Sequence, residues 1–201
     1  MKILLTESQL NTVVKDQQKY DAILIGGLDN RTVVDKKTGK RVLIDKTLDQ
    51  QISLLQDASG LDNIMGFRYN APNDDIKSTI ENNPNIPVVL FSKGCERTDV
   101  VLSCNGVNSN NVFVIQPWAG SKNMLRYYNN LSIPKKNIYV GKTSSAGYGI
   151  SGATPCPDGM GHWESLPKIG AMVLNKKINN TPPSKVVTKK VSKIGLSDLI
   201  Y

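Results

Sequence analysis

Histidine occurs only once in this 201-residue chain, at His162, and cysteine only three times. A lone histidine leaves no partner for an imidazole-based metal site. Cys95, Cys104 and Cys156 match no zinc-ligand spacing, so neither a metal nor a cofactor is expected. An odd number of cysteines builds no paired framework and fits three free thiols in a reducing compartment. Also absent is any apolar run of the roughly 18–20 residues that a membrane span needs. The opening stretch Met-Lys-Ile-Leu-Leu turns polar at Thr6, so it is expected to act as neither a secretory signal nor a span. What remains has the length of one domain with a sizeable core and short appendages.

Acidic residues are the minority, 17 against 25 basic ones, and the excess is uneven. From Asn175 onward there are six lysines (Lys176, Lys177, Lys185, Lys189, Lys190, Lys193) and one acid, Asp198. The preceding part is therefore close to neutral. No aromatic or arginine is interleaved with these lysines, so the tail reads as a solvated linker or an acid-seeking arm, and nucleic acid is not the expected partner.

Three regions follow from the pattern. Residues 1–20 open with Thr6-Glu-Ser-Gln9, a capping-box sequence that leads into Leu10, Val13 and Val14. This arm is expected to be a helix that needs a surface to dock on. Residues 21–174 alternate strand-like and helix-like segments and form the domain. Residues 175–201 are expected to form a basic linker with a short apolar end, Ile194–Tyr201, that is either a second docking element for a protein partner or a strand or helix packed back on the domain.

Within the domain, strands are expected over 22–27, 63–69, 87–91, 111–116 and 137–141, with helices at 47–57, 73–80, 121–131 and 166–174. An exposed hairpin is expected over 30–46 around Lys-Lys-Thr-Gly-Lys. Residues 95–104 read as a helical or irregular segment and 142–162 as one long loop. Such alternation predicts an α/β fold: a three-layer α/β/α sandwich with a mainly parallel sheet of about five strands.

The chemistry concentrates where apolar Val88–Phe91 gives way to Ser92-Lys-Gly94. A buried strand running into Ser-x-Gly presents a hydroxyl at the carboxyl edge of the sheet, with helix N–H groups behind it. Consecutive apolar residues make this a central strand, flanked by those at 22–27 and 111–116. Ser92 is the candidate nucleophile and His162 the candidate base. The plain alternative for Ser92 is an N-cap, and for His162 a hydrogen-bonded loop residue. Cys95 reads as a small buried hydrophobe rather than a thiolate. Trp118, Tyr148 and Trp163 fall in edge loops, as cleft lining or core cover.

In their order these features resemble a reduced α/β-hydrolase. The resemblance spans residues 22–174. It implies an oxyanion turn at Gly26, Gly27 and Leu28, a nucleophile elbow at Ser92 with the Lys93 N–H behind it, and a catalytic histidine at Gly161-His-Trp163. Leu90 stands where the family places a small residue. Lys142-Thr-Ser-Ser offers no acid after the last strand. Gln116, at the end of the preceding strand, is then the candidate that orients His162, with Glu164 or Asp29 as other sources of an acid. Trp118 and Trp163 would line the substrate cleft. Met-Lys-Ile-Leu-Leu-Thr-Glu-Ser-Gln-Leu resembles the opening of many tailed-phage and marine bacterial proteins.

Two functions follow. One is a small serine hydrolase for an ester or amide, such as an envelope-derived substrate. The other is a catalytically silent hydrolase-like module, cytoplasmic or virion-associated, that docks through residues 1–20 and 194–201.

Overall fold

A run of four apolar residues is buried on both faces at each of three places, and these runs form the middle of a parallel sheet. The computed structural model describes residues 20–29, 32–43, 45–118, 121–141 and 149–180. The expected arm over 1–20, except Tyr20, and the apolar end over 194–201 lie outside the described residues. β1 (Ala22–Ile25) leads to an antiparallel hairpin of β2 (Thr32–Val34) and β3 (Arg41–Leu43). Helix α1 (Leu48–Ser59) returns the chain to β4 (Ile64–Phe67), and α2 (Asn73–Glu81) leads on to β5 (Val88–Phe91). A 3-10 turn over Ser92–Arg97 runs into the short α3 (Thr98–Leu102), then β6 (Val112–Ile115) and α4 (Lys122–Asn130). β7 (Ile138–Val140), β8 (Thr154–Pro155) and α5 (His162–Asn180) complete the order.

Local chemistry fixes α1 at both ends. The Thr47 hydroxyl accepts the Gln50 N–H at 3.2 Å and the Gln50 side chain accepts the Thr47 N–H at 3.0 Å, a reciprocal cap. Gly60 then ends the helix at φ 72°, which glycine adopts without steric cost.

The six-stranded sheet is parallel throughout, in the order β4-β1-β5-β6-β7-β8. Strand residues alternate between two cores. Ile23, Ile25, Val88, Leu90 and Val114 pack with Ile76, Ile80, Val101 and Tyr128 from α2, α3 and α4. Leu24, Val89, Phe91, Phe113 and Ile115 pack with Leu55 of α1 and with Leu166, Ile169 and Val173 of α5. Helices therefore cover both faces of the sheet.

β5 lies between β1 and β6, with Ile25 opposite Leu90 and Leu90 opposite Val114, as its unbroken apolar run requires. From β1 the chain steps outward to β4, then returns past β1 to β5. The strand order reverses between β1 and β5, and the carboxyl ends of those two strands flank the crevice where such sheets take ligands.

Three features differ from the sequence reading. The sheet has six strands rather than about five, because Thr154–Pro155 inside the expected loop pairs with β7. Two residues are too short a run to read, and Pro155 sits where an edge strand tolerates its missing N–H. His162 is the first residue of a helix rather than part of a loop, and α5 continues past Leu174 to Asn180. Pro167, which suggests a helix start near 166, lies within α5.

Candidate active site

Beyond Phe91 the backbone turns sharply. Ser92 has φ 54°, in the left-handed region that a side chain makes unfavourable. Close contact across the crevice holds the turn there. A Cβ on Gly94 would fall 2.5 Å from the Gly26 carbonyl oxygen and 2.8 Å from the Ile25 carbonyl carbon. Only glycine lets the turn lie directly on the end of β1. A Cβ on Gly27 would meet Ser92 Cβ at 2.8 Å and Oγ at 3.2 Å. The Ser92 side chain thus faces the Gly27 backbone across the strand switch.

The amides of the β1 turn are largely committed. Gly26 N–H donates to the Phe67 carbonyl at 2.8 Å and Gly27 N–H to Gln51 Oε1 at 3.0 Å. Of the three residues expected to offer an oxyanion amide there, Gly26 and Gly27 therefore have theirs engaged within the fold. Gln51 is fully buried on α1, and its Nε2 donates to the Lys46 carbonyl at 2.9 Å. Sequence reasoning missed this residue, although a glutamine three after Leu48 and four before Leu55 falls on the apolar face of α1. Gln51→Leu is expected to leave both backbone groups unpaired and lower stability by about 2–4 kcal/mol. A urea melt checks this, and a loss below about 0.5 kcal/mol would mean that Gln51 does not hold the turn.

His162 lies at the same end of the sheet as Ser92. Its ring packs 4.9 Å from the Phe91 ring, tilted by 34°, and 5.5 Å from the Trp163 ring, edge-on. Trp163 also reaches Phe91, at 5.4 Å. The imidazole therefore rests against the side chain that immediately precedes the serine.

Gln116, at the end of β6, also has a positive φ of 51° and is 1% exposed. Its side chain lies over Gly141, where a Cβ would come 3.2 Å from its amide carbon. Nε2 reaches Cys156 Sγ at 3.7 Å, and Oε1 is buried with no hydrogen-bond partner among the described residues. The described contact of this amide is the cysteine, not the imidazole. The two alternative acids are engaged elsewhere: Asp29 pairs with Arg68 at 3.0 Å, and Glu164 with Lys168 at 3.6 Å. Protein-family models, curated proteins and solved structures were compared with the chain, and none matches it.

On the β6 side of the serine, Trp118 N–H donates to the Ser92 carbonyl at 3.3 Å, and its own carbonyl accepts from Tyr128 Oη at 3.2 Å. The Lys93 ammonium sits 4.1 Å above the indole and is ion-paired to Glu96. Cys95, next in the turn, is fully buried, and its thiol donates to the Leu90 carbonyl at 3.3 Å. Burial raises the Cys95 pKa well above that of an ordinary thiol, so it is held protonated and is not a competing nucleophile. Burial raises the thiols of Cys104 and Cys156 as well.

Among the described residues, no three His, Cys, Asp or Glu side chains are grouped to hold a metal, and no helix is long and apolar enough to cross a membrane. A separate groove of about 420 Å³, lined by Lys136, Tyr139, Met172 and Lys176 among others, lies toward the amino ends of β6 and β7, away from Ser92.

Proposed function

We propose that the protein is a small serine hydrolase of ester or amide bonds, built on an α/β-hydrolase-like three-layer sandwich. One observation carries this reading: Ser92 is held at φ 54° on a turn that only Gly94 permits, at the carboxyl end of a central strand beside the strand switch. An ordinary N-cap serine has extended backbone and needs no such strain. A strained strand-to-helix turn is how a nucleophile is raised out of a sheet.

In this mechanism His162 swings from Phe91 toward Ser92 Oγ and takes its proton as the oxygen attacks the substrate carbonyl. The N–H groups of Lys93 and Leu28 receive the developing oxyanion. His162 then gives its proton to the leaving group, and water releases the acyl group from Ser92. Gln116 Oε1, buried and available, would accept from the imidazole and orient it, with less stabilisation of the imidazolium than a carboxylate gives.

A second reading, a silent hydrolase-like binding or virion-accessory module, draws support from the Gly27 amide committed to Gln51 and from the Gln116 amide directed at Cys156. A fluorophosphonate probe separates the two. The hydrolase is expected to give one adduct, mapped by mass spectrometry to the peptide containing Ser92. An unlabelled protein, or an adduct elsewhere, leaves the silent module.

A further inference from the structure

We infer that the groove at the amino ends of β6 and β7 binds a small amphiphilic anion, a carboxylate on an apolar chain. The groove measures about 420 Å³, within the range of small-molecule sites. Its floor is Phe113 and Tyr139 from neighbouring strands, and α5 supplies a wall of Met172, Val173 and Lys176. The inference is independent of whether Ser92, at the other end of the sheet, turns over an ester.

The floor and the helix wall call for an apolar body. Phe113, Tyr139 and Val173 belong to the core between the sheet and α5, so the groove opens directly onto that core. Met172 stands beside them 47% exposed, although Ala171 and Val173 on either side of it are buried. An unbranched thioether left open against an apolar floor adapts to ligands of varied shape.

The rim selects the charge. Lys136 lies in the turn before β7, and Lys176 lies one helical turn beyond Met172, so the two lysines line the groove from the sheet and from α5. Among the described residues, neither is in an ion pair and no Asp or Glu lines the groove. Two ammonium groups with no carboxylate between them make a positive mouth over an apolar floor, which favours an anion and disfavours a cation. The place of Lys136 is fixed by hydrogen bonds on both sides of the turn. Thr154 Oγ1 donates to the Lys136 carbonyl at 2.9 Å. The adjoining Asn137 is 6% exposed, and its Nδ2 donates to the Asn110 and Val112 carbonyls at 3.1 and 3.2 Å. Those bonds use both Nδ2 hydrogens, so Asn137 shapes the wall and the headgroup falls to the lysines.

The test titrates dodecanoate, below its micelle concentration, into the full chain by calorimetry. Saturable binding of one dodecanoate per chain is expected, with dodecanol about tenfold weaker. Acetate, which lacks the apolar chain, should not bind. Lys136→Gln and Lys176→Gln should each weaken dodecanoate by about threefold to fivefold and leave dodecanol unchanged, the scale of an exposed charge pair. Met172→Glu changes an exposed residue and places a carboxylate where it can pair with Lys176. It should keep the melting temperature and weaken dodecanoate by about tenfold or more. Binding that survives Met172→Glu overturns the proposal, as do equal affinities for dodecanol and dodecanoate, or no binding at all. A dimer of the chain that Met172→Glu abolishes, without dodecanoate binding, would give the groove to a second copy and overturn it equally.

Discussion

Ser92→Ala is expected to abolish fluorophosphonate labelling and to lower kcat for an activated acetate by about 10⁴-fold or more, the usual scale for losing a nucleophile that acts with its base. His162→Ala should cost a similar factor, and the double variant little more than either alone, because the two groups act as a unit. Stability moves separately from activity. The hydroxyl faces Gly27 across the crevice, and alanine at φ 54° retains the backbone strain, so Ser92→Ala should melt close to the wild type. Ser92→Gly removes the strain and should raise stability by up to about 1 kcal/mol while being equally inactive. A gain in stability with a loss of activity at one residue marks a conformation kept for function. Ester hydrolysis and urea melts on these four variants measure this. Full turnover by Ser92→Ala would place the chemistry on another residue, and Cys95 is excluded by its buried, protonated thiol.

The fold was legible wherever burial on both faces wrote itself into consecutive positions. Val88–Phe91 announced a central strand, and Ser92 with Gly94 announced the turn after it. The site was less legible because its decisive contacts are long-range or made by backbone. Gly26 and Gly27 could be read as amide donors, but not that Phe67 and Gln51 would take those donors, since those partners come from another strand and from a helix. Gln116 meets Cys156 across 40 residues of sequence, and β8, which brings Cys156 there, is two residues long. His162 stacks on Phe91 because α5 begins at residue 162, a boundary that the proline at 167 hides in the sequence.

Gly94→Ala is expected to be the most destabilising single change in the elbow, by about 4 kcal/mol or more, the range reserved for a defined structural failure. The added methyl would meet the carbonyl groups of Ile25 and Gly26, which are backbone atoms at the end of a fully buried strand. β1 cannot recede, because Ile25 is paired with Phe67 on one side and with Leu90 on the other. The turn would have to lift instead, carrying Ser92 away from Gly27 and loosening the Cys95 contacts with Leu90 and Ile115. Gly66→Ala is the matched control. Its methyl would crowd the Ile52 side chain, 3.0 Å from Cγ1, and a half-buried isoleucine can change rotamer at about 1 kcal/mol. Urea melts of both variants should therefore differ by about 3 kcal/mol, and refolded Gly94→Ala should label poorly with fluorophosphonate while Gly66→Ala labels well. Equal losses would show that the turn does not lie against β1, and the raised position of Ser92 would lose its cause.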